Sequence, residues 1–447
     1  MIDVLLIAPS APSLYTEEAF SVSENMAPPL GLCYLASCLK DAGFSVAIED
    51  FHIERKDPSA VVALVEKLQP TIVGISATTP AFPAATMIAR NVREASPGVR
   101  VVLGGMHGTF CYPEALASGC FDVVVIGEGE VTLVEYARHV IHRAMRLQDI
   151  RGIAFSDDSR ELVKTAPRTP IENLDLVPFP SKDLLKIERY DQKGAMITSR
   201  GCTANCVFCA CAAFAGRHFR FRSPENVVDE IAHHIDRWDV RQFEFHDDAF
   251  TLNKERAMRI CDLIIKRCPS IEWGCQSRVT GFDQRMAESL CEAGCKCVQF
   301  GVESGNEEVL DSIGKGITLS EAQAAVIAAR KAGIPNIIAS FIIGHPNDTR
   351  ETVNDTVDFA KRLIDHGATG TPISVLTPFP GTSVYHRAAQ MGIIIENLDW
   401  EDYVLSRANI STRHLSRDDL RRSYFEALFE ILEHQGYVAE ESVLPAV

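Results

Sequence analysis

Two stretches of this 447-residue chain repeat one alternation: a short apolar run, a glycine or proline turn, then a segment of helical periodicity. The first occupies residues 1–145. Its apolar runs, at 3–8, 44–49, 71–76, 101–103 and 122–125, are continuous rather than alternating, as in parallel strands covered on both faces. Helices are expected between them, at 30–42, 58–68, 81–95 and 130–142. This order implies a doubly wound, Rossmann-like α/β sheet with its ligands in the loops after the strands. Those loops carry Ser76, Thr78 and Thr79, then Gly104, Gly105 and His107, then Gly127 and Gly129.

The second stretch, residues 191–385, has apolar runs at 195–199, 242–245, 272–276, 297–301, 336–343 and 373–377. Six strand–helix units fit a partial (β/α)6 TIM-type barrel, in which chemistry collects at the carboxyl ends of the strands. Residues 146–190 read as a linker. They hold an extra strand at 151–155, a hairpin turn at Asp157-Asp158-Ser159, and Pro167, Pro170, Pro178 and Pro180. Residues 386–447 are expected to be mainly helical. There Tyr424, Phe425, Leu428, Phe429 and Leu432 recur at helical spacing, either as core or as a cover on the barrel mouth.

At the end of the first barrel strand stand Cys202, Cys206 and Cys209, spaced C-x3-C-x2-C. Three thiolates on one loop suit three irons of a 4Fe–4S cube, and the usual fourth cysteine is missing, which leaves one iron open. Zinc is the rival occupant, but it prefers four ligands in paired clusters, and His218 brings no second pair with it. Ordinary packed thiols are the third reading. Cys211, two residues on, is either a further ligand or a packed thiol.

Charge and composition narrow the function. A net charge of −16 without a basic run argues against a nucleic-acid partner. No apolar stretch reaches the roughly 18–20 residues of a membrane span. The apolar run at 4–8 follows Asp3 and is too short for a signal peptide, so a cytoplasmic location is expected. Fourteen cysteines in a reducing compartment point to metal or cluster binding rather than disulfides.

The triplet in this setting resembles the signature of the radical S-adenosylmethionine (SAM) enzymes, whose open iron binds SAM. Further elements carry the resemblance. Phe208 precedes the third cysteine. His246-Asp247-Asp248-Ala249-Phe250-Thr251 follows the second strand, Gln276-Ser277-Arg278 the third, and Gly301-Val302-Glu303-Ser304-Gly305 the fourth. The fifth strand ends at Gly344-His345-Pro346. By this resemblance Phe208 packs near SAM, and Asp247 or Asp248 orients its amino group. Arg278 takes the SAM carboxylate or a substrate anion, Glu303 and Ser304 take ribose hydroxyls or the carboxylate, and Gly344 lies by the adenine. On the residues alone, the aspartates also suit a helix start and Arg278 a surface ion pair.

The first stretch resembles the cobalamin-binding domain fused to many radical SAM enzymes. Pro28-Pro29-Leu30-Gly31-Leu32, Val73-Gly74-Ile75-Ser76, Gly104-Gly105-Met106-His107 and Ile126-Gly127-Glu128-Gly129-Glu130 carry it. The resemblance makes Ser76, Thr78, Thr79, Gly104, Gly105, His107, Gly127 and Gly129 candidates for holding a cobalamin. Glycines there would permit close approach of the corrin or its nucleotide tail. The chain departs from the D-x-H-x-x-G pattern of cobalamin folds with a histidine ligand. Its nearest match, Asp50-Phe51-His52-Ile53-Glu54-Arg55, follows the second strand and ends in arginine, so His52 reads as a surface loop residue.

Together the resemblances imply an enzyme with a 4Fe–4S cluster and SAM, with cobalamin as the candidate third cofactor. A low-potential donor of the flavodoxin or ferredoxin type reduces the cluster, SAM is cleaved, and a hydrogen atom leaves a small-molecule substrate. Methylation of the resulting carbon radical by methylcobalamin is the first expectation. A dehydratase, such as one acting on an aminoglycoside diol, or an oxidative cyclase that makes no use of cobalamin is the alternative. A non-catalytic iron–sulfur electron carrier is the third.

Overall fold

The computed structural model describes residues 1–12, 26–396 and 399–437. The first block alternates as expected: β1 (Ile2–Ala8), α1 (Leu30–Asp41), β2 (Val46–Asp50), α2 (Val61–Leu68), β3 (Pro70–Ser76), α3 (Phe82–Ala95), β4 (Arg100–Gly104), α4 (Gly105–Ala117), β5 (Val123–Val125) and α5 (Glu130–His142). These strands are parallel, in the order β2-β1-β3-β4-β5. Side chains alternate between two buried faces. Leu5, Ile7, Val73, Ile75 and Leu103 pack with α2, α3 and α4, while Val4, Leu6, Ile72 and Val102 pack with α1 and α5. The order turns back at β1, which lies between β2 and β3. Such a switch point opens a crevice at the strand ends.

The structure corrects one expectation. The stretch after β4 is not a loop but α4, which starts at Gly105. Pro113 inside it and a non-helical Cys111 (φ −118°, ψ 28°) hide its periodicity. Within residues 146–190 the expected extra strand and hairpin turn are present. β6 (Ile153–Ser156) and β7 (Leu162–Lys164) turn about Asp157-Asp158-Ser159 and extend the first sheet to seven strands, both antiparallel.

The second block contains β8 (Gly194–Met196), β9 (Ser199–Arg200), α6 (Cys211–Ala215), β10 (Arg220–Phe221), α7 (Pro224–Trp238), β11 (Gln242–Phe245), α8 (Lys254–Arg267), β12 (Glu272–Ser277), α9 (Gln284–Glu292), β13 (Cys295–Glu303), α10 (Glu307–Ser312), α11 (Leu319–Ala332), β14 (Asn336–Ile343), α12 (Arg350–Asp365) and β15 (Ile373–Val375). Six strands form one parallel sheet in chain order, β8-β11-β12-β13-β14-β15, with β8 and β15 as its edges. It is therefore an open barrel. Phe243, Phe245, Trp273, Val298, Phe300 and Phe341 face the helices as one core. The alternate positions Glu244, Gln276, Gln299 and Ser340 turn inward.

The C-terminal helix, Arg417–His434, lies along α12. Tyr424 and Phe425 of its stripe are buried, Leu428 and Phe429 pack partly buried against the same core, and Lys361–Glu430 (2.6 Å) and Asp365–His434 (2.9 Å) fasten its polar side. Residues 438–447 of this region lie outside the described residues. No helix among the described residues is long and apolar enough to cross a membrane.

Candidate active site

The cysteine loop leaves β9 through Gly201, whose φ of +90° favours glycine. A Cβ there would also lie 2.4 Å from the His218 carbonyl oxygen. Cys202, Cys206 and Cys209 then line one cavity of about 260 Å3 at the carboxyl ends of the barrel strands. The Cys211 backbone N–H donates to Cys209 Sγ at 3.4 Å. A hydrogen bond from the Cys211 thiol holds Cys209 down at about 7, against burial, and the same bond pushes Cys211 up. Burial raises the Cys206 thiol, with Lys315 and Arg278 opposing it. Three sulfurs on one cavity, one already receiving an N–H, fit a cluster held at three irons. The zinc alternative is weaker because His218 is exposed and lies off this cavity.

The structure brings four of the expected SAM residues to this cavity: Phe208, Asp248, Arg278 and Glu303. Asp248 accepts from Gly201 N at 2.9 Å, which ties the second strand end to the cysteine loop. Arg278 Nη2 donates to the Lys315 carbonyl at 2.6 Å. Lys315 Nζ donates to Glu303 Oε1 at 2.7 Å, with both side chains nearly buried. Glu303 has φ +77°, a left-handed conformation at a non-glycine residue.

Three expected SAM residues do not reach the cavity wall. Asp247 is buried and consumed locally: Oδ1 accepts from Thr198 N (2.6 Å) and Ser199 N (3.1 Å), and Oδ2 from the hydroxyls of both residues. It latches the β8–β9 connection. Ser304 is buried against Thr356, its Oγ 3.3 Å from Thr356 Oγ1. Gly344 donates its N–H to Asp348 at 2.9 Å, and a Cβ on it would meet Leu420 at 3.1 Å.

A second cavity, of about 320 Å3, opens at the strand ends of the first sheet. Leu6, Gly74, Val102 and Val125 form its floor, and Leu32, Leu35 and Leu133 of α1 and α5 its walls. Ser76, Gly104, Gly105, Gly127 and Gly129 edge it. A Cβ on Gly104 or Gly127 would meet nothing within 4 Å, whereas one on Gly105 (φ +87°) would strike the Ala77 carbonyl at 2.7 Å. An apolar slot rimmed by glycines fits a large flat cofactor with an aromatic tail. Thr78, Thr79 and His107 do not line it. His107 lies on the α2–α4 face, its ring stacked on Phe82 at 4.0 Å. His52 sits on the turn after β2, also away from this cavity, with Nδ1 3.4 Å from Ala11 N.

Barrel residues roof this second cavity: Ser199, Arg200, Phe214, His246 and Asp248. Asp248 thus belongs to both cavities. Arg200, one turn before the cysteines, donates to Glu128 Oε1 (3.1 Å) and Glu130 Oε1 (2.6 Å) of the first domain. Arg220 joins at 2.8 Å from Glu128. Burial would raise the Glu128 carboxyl, but the Arg220 hydrogen bond and the Arg200 charge hold it below its ordinary value. Sequence reasoning missed this bridge and the Glu303–Lys315 pair. The Gly127-Glu128-Gly129-Glu130 run is acidic on a strand-end loop, and its partners are arginines about 70 and 90 positions on, too far along the chain for a local signal.

Comparison with known proteins agrees with this geometry. Residues 196–360 match the radical SAM superfamily, and residues 19–137 match the B12 binding domain. A protein of Pyrococcus horikoshii described as an uncharacterized methyltransferase is 34% identical over 459 aligned residues, covering 98% of this chain and 97% of that one. The anaerobic magnesium-protoporphyrin IX monomethyl ester cyclase of Rubrivivax gelatinosus is 31% identical, covering 84% of this chain and 68% of that one. Among solved structures, the radical SAM methyltransferase TsrM of Kitasatospora setae, with cobalamin and a [4Fe-4S] cluster bound, superposes with a TM-score of 0.74. It is 20% identical, over 97% of this chain and 91% of that one.

Proposed function

Because the chain belongs to the radical SAM enzymes that carry a B12-binding domain, we propose that it methylates a carbon of a small-molecule substrate through a corrinoid held in its first domain. The observation that carries this reading is the adjacency of the two cavities, which meet at Asp248. Asp248 is their common wall, so the two cofactor sites lie side by side. When bound, the cluster supplies the electron that cleaves SAM to an adenosyl radical, and the corrinoid supplies the methyl group.

The chain's own residues then have separate tasks. Cys202, Cys206 and Cys209 hold the cluster. Asp248 offers the SAM ammonium a carboxylate, and Arg278 offers the SAM carboxylate a guanidinium. Glu303, paired with Lys315, receives ribose hydroxyls. Ser76, Gly104, Gly105, Gly127 and Gly129 seat the corrinoid over the apolar slot. The first domain, with β6 and β7 added to it, and the barrel are the two working domains, and Arg200 fixes their mutual position. The exposed edge at Cys209 is where a flavodoxin- or ferredoxin-type donor reaches the cluster. A cytoplasmic setting suits the reduced thiolates that hold the cluster.

The likeness to the Rubrivivax cyclase favours a second reading, an oxidative ring closure or dehydration that follows the same hydrogen abstraction. Purified protein mixed with hydroxocobalamin and passed through a sizing column separates the two. The first reading expects about one corrinoid per chain in the visible spectrum, and transfer of label from methyl-labelled SAM to a substrate. A chain that cleaves SAM yet retains no corrinoid supports the second.

A further inference from the structure

On the opposite face of the first sheet, away from both cavities, we propose that His107, Cys111 and Glu114 form a binding site for a divalent cation of the zinc type. All three lie on α4, His107 before its kink, Cys111 at the kink and Glu114 after it. One ligand atom from each falls within 4.8 Å of the others. Zinc bonds of about 2.0–2.3 Å bring tetrahedral ligand atoms to roughly 3.3–3.8 Å, a closure within the reach of side-chain rotation.

The second, independent observation is His107 itself. Its side chain is 0% exposed, and neither ring nitrogen has a hydrogen-bond partner. A buried imidazole is usually satisfied, so two ring nitrogens without a protein partner mark His107 as open to a ligand. The ring cannot easily turn away, because Phe82 stacks on it at 4.0 Å and Trp400 meets its edge at 5.0 Å.

The other two ligands are prepared as well. Cys111 is buried at the break in α4, where the helical geometry fails. Glu114 Oε1 accepts from the Trp400 indole N–H at 2.7 Å, which orients the carboxylate. Outer hydrogen bonds of this kind are what metal ligands require. Thiolate, imidazole and one carboxylate oxygen select zinc over magnesium or calcium, which demand oxygen, and three protein ligands leave a fourth position for water. Binding would release the Cys111 thiol proton to solvent. Since Trp400 belongs to the C-terminal region, the ion would also fasten that region to α4.

The test uses full-length protein carrying Cys202→Ala, Cys206→Ala and Cys209→Ala, so that the cluster loop cannot compete, titrated anaerobically with Co2+. One equivalent giving tetrahedral visible bands and a thiolate charge-transfer band is expected, with displacement by Zn2+. Cys111→Ser in that background should abolish the charge-transfer band, and His107→Gln should weaken Co2+ binding on the order of 100-fold. Absence of the bands, or bands unchanged by Cys111→Ser, overturns the site. Should the triple variant fail to fold, zinc content is compared in cluster-loaded protein after metal exchange and desalting. The parent chain should hold one zinc more than its Cys111→Ser variant, and equal content overturns the proposal.

Discussion

Arg200 and Glu130 join the two domains through a 2.6 Å hydrogen bond in which the arginine side chain is 17% exposed and the glutamate 8%. Removing one partner of such a buried pair costs about 3–5 kcal/mol, because a charge remains without compensation. Arg200→Met should therefore lower the unfolding midpoint clearly, and Glu130→Leu added to it should recover part of the loss. Thermal unfolding of the single and double variants measures this. Equal midpoints for Arg200→Met and the parent would show that the bridge carries no stability.

The adjacent aspartates should separate by phenotype. Asp247→Asn swaps a carboxylate that accepts two backbone N–H groups for a neutral amide, and should cost about 2–3 kcal/mol in stability. Asp248→Asn should fold normally and weaken SAM binding about tenfold or more. Calorimetric unfolding and SAM titration of both variants, loaded with cluster, distinguish the two roles.

Lys315 neutralises Glu303 at 2.7 Å on the cavity wall. Lys315→Met strands that carboxylate, and should destabilise the protein by about 3 kcal/mol and raise the SAM dissociation constant. Glu303→Gln leaves a neutral acceptor in place of the charge. It should cost less stability than Lys315→Met but lose comparable SAM affinity.

Glu244 projects into the barrel across Gly274, where an added Cβ would lie 2.3 Å from Glu244 Oε2. Burial alone raises its carboxyl to about 7, against 4.5 unperturbed. Between those values the folded chain binds the proton more tightly than the unfolded chain, so stability should fall as pH rises from about 5 to 8. The loss should be on the order of 1–3 kcal/mol. Glu244→Gln removes it, so the midpoints of the two proteins, compared at pH 5 and pH 8, should diverge at the higher pH.

The alternation of apolar runs located the strands of both sheets because parallel strands buried on two faces leave a continuous signature. Helix α4 escaped because Pro113 and the kink at Cys111 break the period by which a helix is read. The cysteine triplet was legible because its spacing is local. The choice between Asp247 and Asp248 was not, since the two differ only in which way each side chain leaves the strand end. That direction is fixed by Thr198 and Ser199, nearly 50 positions earlier. For a similar reason the motif groups His107 with the cobalamin candidates, whereas the helix beginning at Gly105 carries its ring to the other face of the sheet.

The most direct test of the account is anaerobic turnover. The chain is reconstituted with iron and sulfide, supplied with SAM, a corrinoid and a low-potential reductant, and assayed for 5′-deoxyadenosine. The parent protein should bind four irons and release 5′-deoxyadenosine, and Cys206→Ala should release none. Fully reconstituted protein that forms no 5′-deoxyadenosine, or a Cys206→Ala variant that forms as much as the parent, would contradict the assignment of this cavity as the source of the radical.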